Sequence, residues 1–252
     1  MSVALITGAS RGLGLALARA LAERDWDLVV DARGGDALEA ARSSLAGTGR
    51  GQVTAVAGDV ADGVHRRRLV DAARDHGGLD LLVNNASILG LSPQPVLADY
   101  PLETLEHVYA VNVLAPLALV QLGLPLLEAV TGSILNVTSD AGVEGYEGWG
   151  GYGSSKAALE QWSRVLAAEK PDLRVWWVDP GDMRTQMHQE AFPGEDISDR
   201  PLPDDSVVGL LRLIDEGLPS GRYRTGDLAP AGDPAGAQSP SEPFPVGYEA
   251  QA

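Results

Sequence analysis

No cysteine occurs among the 252 residues. That excludes disulfides, thiolate metal ligands and a cysteine nucleophile, and it fits a reducing compartment. Lysine is almost missing: of 19 basic residues only Lys156 and Lys170 are lysines. The formal net charge of −16 excludes the broad positive field that gathers nucleic acid or anionic membrane. The opening stretch MSVALITGAS lacks the positive segment of a signal peptide. No apolar run approaches the ~20 residues of a membrane span. These absences predict a cytoplasmic protein with neither a nucleic-acid nor a membrane partner. The one basic run, His65 to Arg68, is expected on the wet face of a helix.

What is present is a rhythm. Short runs rich in Val, Ile and Leu stand at 3–7, 27–32, 52–57, 79–85, 132–139 and 173–179, with a weaker one at 221–226. They lack strict alternation, as strands covered on both faces should. Amphipathic stretches at 12–24, 36–46, 62–76, 102–129, 152–170 and 205–216 separate them. Repeated strand–helix–strand units predict an α/β fold, a doubly wound parallel sheet of about seven strands with helices on both faces. Residues 1–226 are expected to form a single catalytic domain, with a mobile substrate loop at 186–204. Residues 227–252 hold five prolines and no basic residue, and read as an extended acidic tail.

Between the first strand and first helix, ITGASRGLGLALA spaces Gly8, Gly12 and Gly14 as G-x-x-x-G-x-G. Such glycines let the backbone approach a pyrophosphate at a helix N-terminus, which points to a dinucleotide. At the end of the second strand an acidic residue would bind a ribose hydroxyl, and an arginine a 2′-phosphate. Counted from Gly14, the deciding position is Ala32, followed by Arg33, with Arg11 in the loop. Two guanidiniums favour NADP(H). A slip of one residue would put Asp31 at the ribose and favour NAD(H). Further on, Tyr152 and Lys156 stand four apart and share a helix face. An ammonium beside a phenol should lower its pKa from near 10 and ready it for proton exchange.

The ordered set TGASRGLG, GDV (58–60), NNAS (84–87), Asn112 in VNV, GSILNVTSDAG (132–142), Tyr152-x-x-x-Lys156 and DPGDMRT (179–185) resembles the short-chain dehydrogenase/reductase family, in its shorter single-domain branch. The resemblance implies a Rossmann-type fold and hydride transfer between a nicotinamide and a carbonyl or alcohol. It makes Tyr152 the general acid or base, Ser139 (with Thr138 as the rival hydroxyl) the group that polarises the substrate oxygen, and Lys156 the residue that tunes Tyr152 and anchors the cofactor. Asn112 would hold a water in a proton relay. Cofactor contacts would come from Gly8, Ser10, Arg11, Gly12, Leu13, Gly14, Arg33, Asp59, Val60, Asn85, Ala86, Pro180, Gly181, Met183 and Thr185, besides Tyr152 and Lys156. Asn84 would steady the central strands and line the cofactor. Ser87 stands where the family usually has glycine. Val143, Glu144, Tyr146, Trp149, Met183, Met187, His188 and Phe192 are candidates for the substrate surround. No metal is expected. A homodimer or homotetramer is expected through the helices at 102–129 and 152–170. A non-catalytic NADP(H) sensor, or a reductase of imines or activated alkenes, would share much of this pattern.

Overall fold

The computed structural model describes residues 1–228 of the chain. Apart from its first two residues, the tail expected at 227–252 lies outside them. Seven strands form one all-parallel sheet: β1 (Val3–Ile6), β2 (Asp27–Ala32), β3 (Val53–Ala57), β4 (Leu81–Asn84), β5 (Ser133–Val137), β6 (Arg174–Asp179) and β7 (Gly221–Arg224). Their order is β3-β2-β1-β4-β5-β6-β7. The helices are α1 (Gly12–Ala22), α2 (Gly35–Leu45), α3 (Gly63–Asp75), α4 (Leu102–Tyr109), α5 (Ala115–Val130), α6 (Gly150–Glu169), α7 (Gln186–Ala191), α8 (Pro203–Glu216) and α9 (Thr225–Leu228).

Side chains that alternate along each strand feed two cores. In β1, Ala4 and Ile6 pack with α1, α2 and α8, while Val3 and Leu5 pack with α3, α5 and α6. Every residue of β1, β2 and β4 is buried, which is why their sequences are mostly apolar, with Asp27, Asp31 and Asn84 as the buried polar exceptions. Leu5 and Leu82 are fully buried; truncating either to alanine costs about 2–5 kcal/mol. The order reverses between β1 and β4, the point at which doubly wound sheets generally bind ligands, beyond the carboxyl ends of the strands.

Four expectations change. The helical stretch Leu102–Val130 is 29 residues long and, by length and composition alone, apolar enough to cross a bilayer. Part of that apolar character is explained by burial: Leu119, Val120, Gly123 and Leu127 face inward, and Leu119, Val120 and Leu127 belong to one of the two cores. The basic run is not wholly wet, since His65 is buried. The segment 186–204 opens with helix α7, and the strand read at 221–226 stops at Arg224, where α9 begins.

Candidate active site

The glycine loop is tied down from both neighbouring strands. Gly8 and Gly12 have φ of +66° and +57°, the left-handed region that glycine alone enters without cost. A Cβ on Gly14 would stand 2.5 Å from Asn85 Nδ2 and 2.6 Å from the Gly8 carbonyl oxygen. Asn85 donates its amide protons to the carbonyls of Thr7 at 2.7 Å and Gly8 at 3.1 Å. The Thr7 hydroxyl oxygen accepts the N–H groups of Asn85 and Ala86, each at 3.0 Å. Helix α1 then starts with no side-chain cap and no acidic residue in its first turn, so its N-terminal N–H groups suit an anion. Ser10 is partly exposed beside them and Leu13 faces the core. The loop therefore fits a dinucleotide pyrophosphate.

Asp31 is turned into the protein. Its side chain is 1% exposed; Oδ1 accepts the Gly8 N–H at 2.8 Å, and Oδ2 pairs with His65 Nε2 at 2.9 Å. Arg33, two residues on, is exposed after β2. Asp59 closes the turn after β3, with Oδ1 accepting the Ala61 N–H at 2.8 Å, and Val60 is buried beside Val111 and Ala115. Asn84 donates to Asn136 Oδ1 at 2.8 Å inside the sheet, so it braces β4 against β5; Asn85 meets the loop. Thr7 did not stand out in the sequence, nor did the pairing of Asp31 with His65, whose partners are 34 positions apart.

At the far end of the groove, α6 packs close on the turn after β5. A Cβ on Gly153 would come within 2.5 Å of the Ala141 carbonyl oxygen, and this approach sets Tyr152 beside Ser139. Lys156 Nζ lies 5.4 Å from the Tyr152 ring centroid and donates to the Val137 carbonyl at 2.7 Å. Ser139 caps a short turn, Asp140–Gly142, donating to Asp140 Oδ1 at 2.9 Å and accepting the Ala141 N–H at 3.2 Å. Thr138 is turned away, donating to Glu160 at 3.0 Å. Ser87 Oγ is buried with no partner of good geometry, yet near enough to the Tyr152 phenol to favour its ionised form, as Ser139 also does. Asn112 sits in a π-helical turn, Ala110–Leu114. It donates its amide protons to the Ile88 carbonyl and Ser155 Oγ, and accepts the Ile88 N–H. Its amide protons are therefore spent on protein rather than left for a water.

Electrostatics reverse one expectation. Burial pushes the Tyr152 phenol well above its ordinary pKa, with the Asp179 and Asp140 charges adding to the rise. Burial also pushes the Lys156 ammonium down to about 7. The lysine therefore does not make this phenol acidic on balance, because dehydration outweighs one nearby cation.

Aromatic side chains line the outer wall. Trp149 meets Tyr152 edge-on at 5.8 Å and Phe192 at 6.0 Å, and His188 lies 4.8 Å from Phe192. Leu89 and Met187 join the cluster around Tyr152, whereas Val143, Glu144 and Tyr146 are exposed. From the other side, Arg11 hydrogen-bonds Gln186 at the start of α7. Thr185 caps α7 by accepting the His188 N–H at 3.2 Å, which leaves its own proton to donate. Gly181 turns the chain at φ +73°, its N–H held by Asp179 at 2.9 Å. The Pro180 carbonyl accepts from Ser206 and Thr225, and Met183 packs on the core.

The chain matches the short chain dehydrogenase family over residues 2–196. It belongs to that family. Among its relatives in the family is a yeast protein, the benzil reductase ((S)-benzoin forming) IRC24 of Saccharomyces cerevisiae, 36% identical over 200 residues, 75% of this chain and 74% of the yeast protein. A short chain dehydrogenase from Salmonella enterica serovar Typhi superposes with a TM-score of 0.81 at 29% identity, covering 89% of this chain and 95% of the other. An alcohol dehydrogenase from Thermococcus sibiricus, solved with 5-hydroxy-NADP, gives 0.80 at 28% identity, covering 89% and 95%. This dehydrogenase chain thus shares both fold and family with oxidoreductases.

Proposed function

We propose that this short-chain dehydrogenase reduces the carbonyl group of a small molecule with NADPH, and that Tyr152 is the acid. The observation that carries the reading is a buried phenol beyond the carboxyl ends of β4 and β5, with Ser139 and Ser87 hydroxyls around it and Lys156 one helical turn away. The glycine loop and α1 N-terminus would hold the pyrophosphate, Arg33 and Arg11 a 2′-phosphate, and Lys156 the nicotinamide ribose. The solved relative with an NADP derivative supports that cofactor.

A bound reduced nicotinamide supplies the hydride to the carbonyl carbon. Ser139 orients the substrate oxygen and stabilises the charge growing on it. Tyr152 gives its proton to that oxygen, completing the alcohol. A phenol that burial holds above its ordinary pKa carries its proton at neutral pH, as a general acid must. Trp149, Phe192 and Met187 shield the reacting atoms and suit an aryl or otherwise bulky ketone, in keeping with the benzil reductase relative. Asn112 holds the Ile88 segment and, through Ser155, the start of α6; it acts as a positioning residue. Exposed Leu114 and Val165 on the α5–α6 side support a homodimer or homotetramer.

Absorbance at 340 nm with NADPH and with NADH, over aldehydes, ketones, quinones and imines, tests the reading. We expect ketone-dependent oxidation of NADPH. Tyr152→Phe should lower turnover by on the order of 10²–10⁴ with the NADP⁺ dissociation constant unchanged. Arg33→Ala should raise the dissociation constant for NADPH more than for NADH. Retained turnover in Tyr152→Phe removes the acid; tight NADPH binding with no turnover of any carbonyl points instead to a sensor.

A further inference from the structure

The turn that carries Ser139 also carries a charge the proposed reaction does not use. Asp140 follows Ser139 directly. Its Oδ1 accepts the Ser139 hydroxyl at 2.9 Å and the Ala141 N–H at 2.8 Å, and its Oδ2 accepts the Tyr146 phenol at 3.1 Å. A serine hydroxyl has one proton. Donated to Asp140, it is not available to a substrate oxygen. A carboxylate also accepts more strongly than a ketone, charge-assisted bonds being about twice as strong as neutral ones. Among the described residues no cation pairs with Asp140: Arg222, which reaches the Ser139 carbonyl, is paired with Glu160 and Asp179, and Lys156 is bound to Val137.

We propose that Asp140 is a specificity-determining residue, which selects ketones bearing a hydrogen-bond donor or a cation on the carbon next to the carbonyl and rejects those bearing an anion there. The proposal rests on the reading of Ser139 and Tyr152 above. A substrate oxygen bonded to Ser139 lies ~2.8 Å from Oγ, and Asp140 Oδ1 lies 2.9 Å from the same Oγ. The two acceptors are then roughly 4–5.5 Å apart for ordinary angles at the hydroxyl, within reach of a group one carbon from the carbonyl. A hydroxyl or ammonium there satisfies Asp140, and the Ser139 proton swings to the carbonyl. A carboxylate there sets two like charges at that separation in a half-buried turn, with Lys156 already engaged. Beyond burial, the Asp140 charge already bears on both the Tyr152 and Tyr146 phenols, and Glu144 and Asp182 add the same sign at Tyr146. The aromatic wall leaves room for an aryl group on the other side of the carbonyl.

Four phenyl ketones that differ only at that carbon form the test: acetophenone, 2-hydroxyacetophenone, phenacyltrimethylammonium and benzoylformate. kcat/KM with NADPH is compared within wild type and within Asp140→Asn, so a general loss of activity in the variant leaves the ratios readable. In wild type the hydroxylated and cationic ketones should exceed acetophenone, and acetophenone should exceed benzoylformate, each by on the order of tenfold. In Asp140→Asn the cation-to-anion ratio should fall to within about threefold of one. Dissociation constants of 1-phenyl-1,2-ethanediol, 1-phenylethanol and mandelate for the wild-type protein with NADP⁺, from calorimetry, give the same comparison without turnover and without the variant. A flat or reversed order in either series, or an order unchanged by Asp140→Asn, overturns the role of Asp140 while acetophenone reduction leaves the reaction itself standing. If no ketone is reduced but the three alcohols bind in the stated order, the reaction is wrong and the selection by Asp140 stands.

Discussion

Replacing Lys156 with methionine removes a buried ammonium while nearly keeping the bulk of the side chain. Lys156 is 2% exposed, and burial lowers its pKa from 10.5 to about 7. In the unfolded chain the amine titrates at its ordinary value, ~10.4. Between about pH 7 and pH 10.5 the unfolded chain therefore holds a proton that the folded chain has lost. Stability rises with pH across that window, and the destabilisation is complete at and below pH 7. At 1.36 kcal/mol per tenfold in acidity, it amounts to on the order of 5 kcal/mol. Against this, the variant loses the bond to the Val137 carbonyl, worth about 1–3 kcal/mol. Lys156→Met should thus be more stable than wild type by about 2–4 kcal/mol at pH 6.5, with Tm higher by about 5–10 °C, and should lose that advantage as pH approaches 10. Urea and thermal unfolding at pH 6.5, 8 and 9.5, at one protein concentration, measure it. NADP⁺ affinity should fall at the same time, stability having been given up for the site. A variant less stable than wild type at pH 6.5, or a difference that does not vary with pH, refutes the reasoning.

Two further outcomes test how the site is braced. Gly14→Ala drives a methyl into Asn85 and the Gly8 carbonyl, so the NADP⁺ dissociation constant should rise at least about tenfold, with about 1–3 kcal/mol of stability lost, read by calorimetry and urea titration. Arg222→Met leaves Glu160, 1% exposed, with Arg164 as its remaining cation; stability should fall by about 3 kcal/mol, and much of it should return in the double variant with Glu160→Gln. In Arg222→Met, kcat should fall more than KM rises, because the Ser139 carbonyl loses its anchor.

Much of this arrangement is legible along the chain. The apolar runs locate the strands within a residue or two, because strands covered on both faces leave no choice of residue type. The three glycines locate the loop, because only they accept its backbone angles and its approach to Asn85. Tyr152 and Lys156 are legible as a pair because four residues make one helical turn. The breaks came where one element's composition had two explanations. Leu102–Val130 is apolar in part because it packs against the protein, and the run at His65 mixes a buried histidine with wet arginines.

Local order along the chain determined the fold class, the anion-binding loop and the spacing of phenol and amine, since each depends on neighbours within one turn or strand. Tertiary structure alone decided the charges. Asp31 meets His65 across 34 residues and Arg222 meets Glu160 across 62. Whether a lysine acidifies a tyrosine or is itself neutralised depends on how completely other elements cover both, and the cost of dehydration is set by that cover rather than by the residues it falls on.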